Sequence, residues 1–141
     1  MGTIKNFEDL SVWQESRKLA KEVHKLIRKS DFSDDLDLRK QIKRSVGSVM
    51  DNIAEGFERG GNKEFIQFLY ISKGSSGELR SQLYRAEDFE IINEKETIEF
   101  VKKTREISSM LQGFITYLKN SGYKGDKYVL KEPKTIYKTK K

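Results

Sequence analysis

Apolar side chains return every three or four positions along most of this chain, in four blocks separated by short polar breaks. In the first block Val12, Trp13, Ser16, Leu19, Ala20, Val23, Leu26 and Ile27 fall on one face, which predicts a helix over residues 9–29. Residues 1–8 read as a lead-in, with Phe7 as a candidate anchor. The acidic stretch Ser30 to Asp37 is turn-prone, and its carboxylates suit the positive end of a following helix. That second helix, predicted over 36–59, buries Ile42, Val46, Val49, Met50, Ile53 and Phe57. Within Gly60-Gly61-Asn62 a glycine should stop it in the left-handed conformation, and Asn62 should cap the next.

The third block, predicted over 62–91, contains Lys73-Gly74-Ser75-Ser76-Gly77, which local preference assigns to a loop because each glycine costs about 1 kcal/mol in a helix. Yet Phe65, Leu69, Ser72, Ser76, Leu79, Leu83 and Ala86 keep helical phase across it, and a loop has no need to do so. One continuous helix with a small-residue waist is therefore expected. Asn93 and Glu96 form a capping-box pattern that opens the fourth helix, 94–120. Its inner stripe is read as Ile98, Val101, Thr104, Ile107, Ser108, Leu111, Phe114, Ile115 and Leu118. Short connections between four amphipathic helices predict an all-α, up-down antiparallel four-helix bundle over residues 1–121. The tail, 122–141, alternates lysines with tyrosines and holds the only proline; it is expected to be extended and largely disordered alone.

Composition narrows the function more than it defines it. The 141 residues are 35% charged and 35% hydrophobic and include no cysteine, which excludes disulfides and thiolate metal sites. No apolar run approaches a membrane span, and MGTIKNFEDL lacks a signal-peptide core, so the cytoplasm is the expected compartment. The net charge of +6 resides mostly in the tail, where residues 121–141 carry seven lysines against two acids. The body is nearly neutral, so local arrangement matters more than the total. Lys18, Lys21, Lys25, Arg28 and Lys29 share the polar side of the first helix, and Arg39, Lys40, Lys43 and Arg44 cluster at the start of the second. A solvated face explains such strips; a surface that faces phosphates explains them as well.

Catalytic chemistry is hard to assemble. His24 is the single histidine and lies on the polar edge of its helix. Carboxylates such as Glu55 and Glu58 lack the Glu-x-x-His partners of a bundle metal site. Gly74-Ser75-Ser76-Gly77 lacks the Lys-Ser/Thr of a phosphate loop. No enzyme activity, cofactor or metal is expected. Zinc-finger and aromatic RNA-binding signatures are absent too, leaving phosphate contacts as the nucleic-acid reading.

Several segments occur in an order that can be recognised. They are Phe7-Glu8-Asp9-Leu10 with Val12-Trp13-Gln14, Gln41-Ile42-Lys43-Arg44-Ser45, Asn52-Ile53-Ala54-Glu55-Gly56-Phe57, Lys63-Glu64-Phe65-Ile66-x-Phe68-Leu69, Gly74-Ser75 and Glu78-Leu79-x-x-Gln82-Leu83. Together they closely resemble the four-helix-bundle family of 23S rRNA intervening-sequence proteins, from about Phe7 to Leu118. The run Gly47 to Asp51 departs from the small-residue and proline-containing segment of many members. The resemblance implies a homo-oligomer, commonly a pentameric ring. It also implies a distant kinship with the accessory protein of diversity-generating retroelements, which binds nucleic acid and a reverse transcriptase.

On that footing Asn52, Ala54, Glu55, Gly56, Gly74 and Ser75 are expected to be structural or inter-subunit groups, buried polar ones requiring partners. Gly47 and Ala54 are expected to leave a smooth strip for close backbone approach. The function expected first is non-enzymatic binding of RNA or an RNA–DNA intermediate by an oligomer. The alternative is a scaffold that docks a protein such as a reverse transcriptase or a ribosomal factor.

Overall fold

The computed structural model describes residues 3–121 and Glu132. A 3-10 turn, Phe7–Asp9, leads into α1 (Ser11–Lys29), followed by α2 (Leu36–Glu58), α3 (Asn62–Asp88) and α4 (Glu94–Asn120). Each helix packs on the next and α1 closes against α4. Cross-helix pairs fix the directions. Ser48 meets Ser75 while Gln41 meets Arg85, Lys73 meets Gln112 while Tyr70 meets Lys119, and Lys29 meets Glu96 while Glu22 meets Lys103. In all three pairs one sequence number rises as the other falls, so the neighbours are antiparallel. The fold is the all-α, up-down four-helix bundle that the periodicity predicts.

The core follows the expected faces. Val12, Leu19, Val23, Leu26 and Ile27 of α1 meet Ile42, Val46, Val49, Ile53 and Phe57 of α2 and the apolar stripes of α3 and α4. Phe57, Phe65 and Phe114 stack edge to face, with centroids 5.9 and 5.4 Å apart, which fills the end near the α2–α3 turn. Phe7 anchors the lead-in on Trp13, with ring centroids 5.1 Å apart. Gly60 takes φ 85°, the expected left-handed stop, and Asn93 with Glu96 forms the expected capping box.

Some details differ from the sequence reading. Gly61, not Asn62, is the N-cap of α3; Asn62 is already helical and its amide donates to the Leu118 carbonyl at 3.4 Å. Ile98 is 63% exposed, while Thr97, Phe100 and Val101 turn inward, so the first turns of α4 are rotated from the stripe expected for them. Helix α3 stops at Asp88, and Glu90 takes the left-handed conformation with φ 62°.

The segment Lys73 to Gly77 is helical throughout. Its serines explain why. Ser72 donates to the Val49 carbonyl at 2.6 Å, Ser75 shares a 2.8 Å bond with Ser48, and Ser76 donates to the Thr104 carbonyl at 3.0 Å. Ser108 adds a bond to Ser76 at 2.9 Å. Helix α3 is thus tied to both neighbours by short hydroxyls that need no long side chain to reach across.

The glycines behave differently. A Cβ on Gly56 would lie 2.5 Å from the Phe68 Cβ, so α2 and α3 touch there only because Gly56 has none. Among the described residues a Cβ on Gly74 or Gly77 would meet nothing within 4 Å, and one on Gly47 would meet only the Asp51 carboxylate at 4.0 Å. A close approach is made at Gly56, and none is made at Gly47 among the described residues.

Candidate nucleic-acid interface

All nine basic residues singled out on α1 and α2 have exposed side chains. Ion pairs divide them. Lys18 lies 3.6 Å from Glu15, Lys29 lies 2.7 Å from Glu96, and Arg44 lies 3.7 Å from Glu78. Lys21, Lys25, Arg28, Arg39, Lys40 and Lys43 have no hydrogen-bond or ion-pair partner among the described residues. Exposed pairs of this kind contribute about 0–1 kcal/mol, so the paired cations can exchange partners at little cost.

On α1 the spacing of Lys18, Lys21, Lys25 and Arg28 keeps one face over about 15 Å of helix. That strip ends where α2 begins. Arg28 of α1 and Arg39 of α2 line one open cleft of about 320 Å³, together with Ile27, Ser30, Phe32, Ser33 and Leu36. The cleft joins the two basic groups that the sequence shows separately.

The acidic connection between them is largely occupied with itself. The Asp35 side chain accepts the Leu38 N–H at 2.9 Å as the N-cap of α2, and Asp37 accepts from Gln41 at 2.6 Å. Hydrogen bonds from Ser33, side chain first and backbone second, hold Asp31 below its ordinary value. The Lys29 hydrogen bond, with the Asn93 N–H, likewise lowers Glu96, and Glu96 in turn raises Lys29.

The other singled-out residues do not join this surface. Asn52 is half-buried and donates to the Ser48 hydroxyl and carbonyl at 2.8 and 2.9 Å. Glu55, for which burial was one expectation, is exposed and pairs with Arg59 at 2.7 Å. Ala54 is half-buried, Gly56 is the contact with Phe68, Ser75 is buried on Ser48, and Gly74 is open. Gly74 shares the outward stripe of α3 with Tyr70, Gly77, Ser81 and Tyr84 at four-three-four-three spacing, an aromatic at each end and small residues between.

One residue escaped the sequence reading altogether. Glu132 is 3% exposed, and its carboxylate accepts the backbone N–H groups of Ser11 and Val12, the latter at 2.9 Å. Helix α1 has Leu10 at its N-cap position, which offers no side-chain acceptor, so Glu132 satisfies donors that would otherwise be orphaned. The rest of 122–141 lies outside the described residues, and the expectation of disorder falls there. Among the described residues no helix is long and apolar enough to cross a membrane, and no acid or histidine group is placed to hold a metal.

The fold and surface define a class: a four-helix bundle with six exposed cations on α1 and α2 that are unpaired among the described residues, and further unpaired cations such as Lys63, Lys95, Lys102 and Arg105 on α3 and α4. A family model described as "23S rRNA-intervening sequence protein" matches residues 8–113, most of the sequence, and the chain belongs to that family. No curated protein matches the sequence. Among solved structures, a protein of unknown function from the S23 ribosomal protein family of Bacteroides thetaiotaomicron VPI-5482 is similar at 23% identity. The match covers 74% of this chain and 97% of that one, with a TM-score of 0.67, and supports the bundle fold.

Proposed function

We propose that this protein is a non-enzymatic nucleic-acid-binding protein that grips the phosphate backbone through α1 and α2 and acts as a ring of identical copies. The observation that carries the reading is the set of six exposed, unpaired cations on two neighbouring helices. Phosphate contacts of this kind give affinity without sequence specificity. The family's description refers to a 23S rRNA intervening sequence, which favours RNA as the ligand. Assembly would multiply a modest protomer surface, and the outward stripe of α3 supports it. Gly74 and Gly77 cost helix stability and meet no neighbour among the described residues, which leaves their stripe open to a second copy.

Titration with a structured RNA tests the reading. Binding near 50 mM salt that weakens steeply toward 200 mM is expected. No binding at low salt contradicts it, and a monomeric solution mass contradicts the ring.

A second reading, a scaffold docking a protein partner, draws on another cleft. Tyr84, Thr97, Ile98, Val101, Lys102 and Arg105 line about 250 Å³ between α3 and α4, apolar within and basic at the rim. A partner retained after nuclease treatment, and lost on Ile98→Lys, would favour it.

A further inference from the structure

The cleft at the α1–α2 connection differs from the rest of the basic surface because apolar side chains share its lining with polar ones. Ile27 and Phe32 are 3% and 4% exposed and form its floor, while Leu36, 56% exposed, forms one lip. Arg28 and Arg39 stand on different helices at its edge, and neither has a partner among the described residues. A cavity of about 320 Å³ lies at the small end of ligand sites, which run from about 300 to 1,000 Å³. Its volume has room for a single small group.

We propose that this cleft receives a single unpaired nucleotide of the bound RNA, its base against Ile27, Phe32 and Leu36 and its phosphate between the guanidiniums of Arg28 and Arg39. The inference rests on the nucleic-acid reading and adds a subsite to it. Guanidinium forks suit phosphate better than ammonium groups do, and the two arginines of this surface's unpaired set are the two at the cleft. Elsewhere on the surface the unpaired cations are lysines, which hold phosphates as point charges.

The carboxylates around the site have other roles. Asp31, Asp35 and Asp37 accept hydrogen bonds from Ser33, Leu38 and Gln41. The Ser30 hydroxyl is spent on the Leu26 carbonyl at 2.6 Å, and Ser33 at the rim is engaged with Asp31.

The test compares two RNA hairpins of one stem sequence, one fully paired and one carrying a single extrahelical 2-aminopurine. The wild-type chain should bind the second about tenfold more tightly, the size of one base contact, with a change in 2-aminopurine fluorescence. In Arg28→Gln/Arg39→Gln the preference and the fluorescence change should vanish, so that the two hairpins bind equally, both weakened by the loss of two phosphate contacts. Leu36→Gln should reduce the preference without altering binding of the paired hairpin. Both variants change exposed side chains, and an unchanged thermal melt confirms that they fold. Equal wild-type affinity for the two hairpins overturns the subsite but leaves the nucleic-acid reading standing, whereas failure of either hairpin to bind at low salt overturns both. Adenosine monophosphate that saturates the cleft without any extrahelical preference in RNA would overturn it in favour of a free nucleotide.

Discussion

Glycine has opposite meanings at different positions of this bundle. At Gly56 a methyl group would strike the Phe68 Cβ at 2.5 Å, a backbone-proximal atom that cannot swing away. Gly56→Ala should therefore cost about 1–3 kcal/mol in a denaturant melt, the range for overpacking. Gly74 meets no neighbour within 4 Å among the described residues, and Gly74→Ala should stabilise the isolated protomer by up to about 1 kcal/mol. If the outward stripe of α3 is an assembly face, the same substitution should weaken association even as it strengthens the protomer, a divergence that sedimentation and melting together would reveal. Glu90 presents the reverse case. A glutamate at φ 62° pays for a conformation that glycine adopts freely, so Glu90→Gly should raise stability by about 0.5–1 kcal/mol. The sequence shows where these glycines are but not which of them touches a neighbour, because contact depends on the rotation of two helices about each other.

At the scale of elements, helix phase was legible and long-range capping was not. The seven positions from Phe65 to Ala86 keep one face through Gly74–Gly77, and all seven are buried. The start of α4 misled because Ile98 and Phe100 lie on different sides of the helix and either could define the stripe. Thr97 settles it by turning inward, its hydroxyl returned to the Asn93 carbonyl at 2.9 Å. The cleft was legible only as two basic clusters, since Arg28 and Arg39 converge through the fold of the connection between them. Glu132 gave no local signal at all, being more than a hundred residues from the helix it caps.

Removing that cap is a direct test. Glu132→Ala should cost about 0.5–2 kcal/mol and raise amide exchange in the first turn of α1. The Lys29–Glu96 pair adds a pH dependence at the junction of α1 with α4. Glu96 is lowered in the folded state, so its contribution is full above its ordinary value of 4.5 and is lost as pH falls through the folded value. Lys29 is raised, so its share is full below 10.5 and is lost at higher pH. Lys29→Met should flatten the acid limb of the stability profile within that window.

On the scale of the whole molecule, cations unpaired among the described residues lie on all four helices, and six of them stand on α1 and α2 beside a connection whose Asp31, Asp35 and Asp37 are engaged in turns and caps. A solvated surface and a phosphate-binding surface share that composition and differ in their response to salt. The decisive measurement is the slope of log affinity against log salt for a structured RNA, compared between the wild-type chain and Lys21→Gln/Lys25→Gln/Lys40→Gln/Lys43→Gln. The account predicts a steep wild-type slope that falls by about 0.7–0.9 for each phosphate contact removed, with the fold intact. A slope left unchanged by the four substitutions would contradict it.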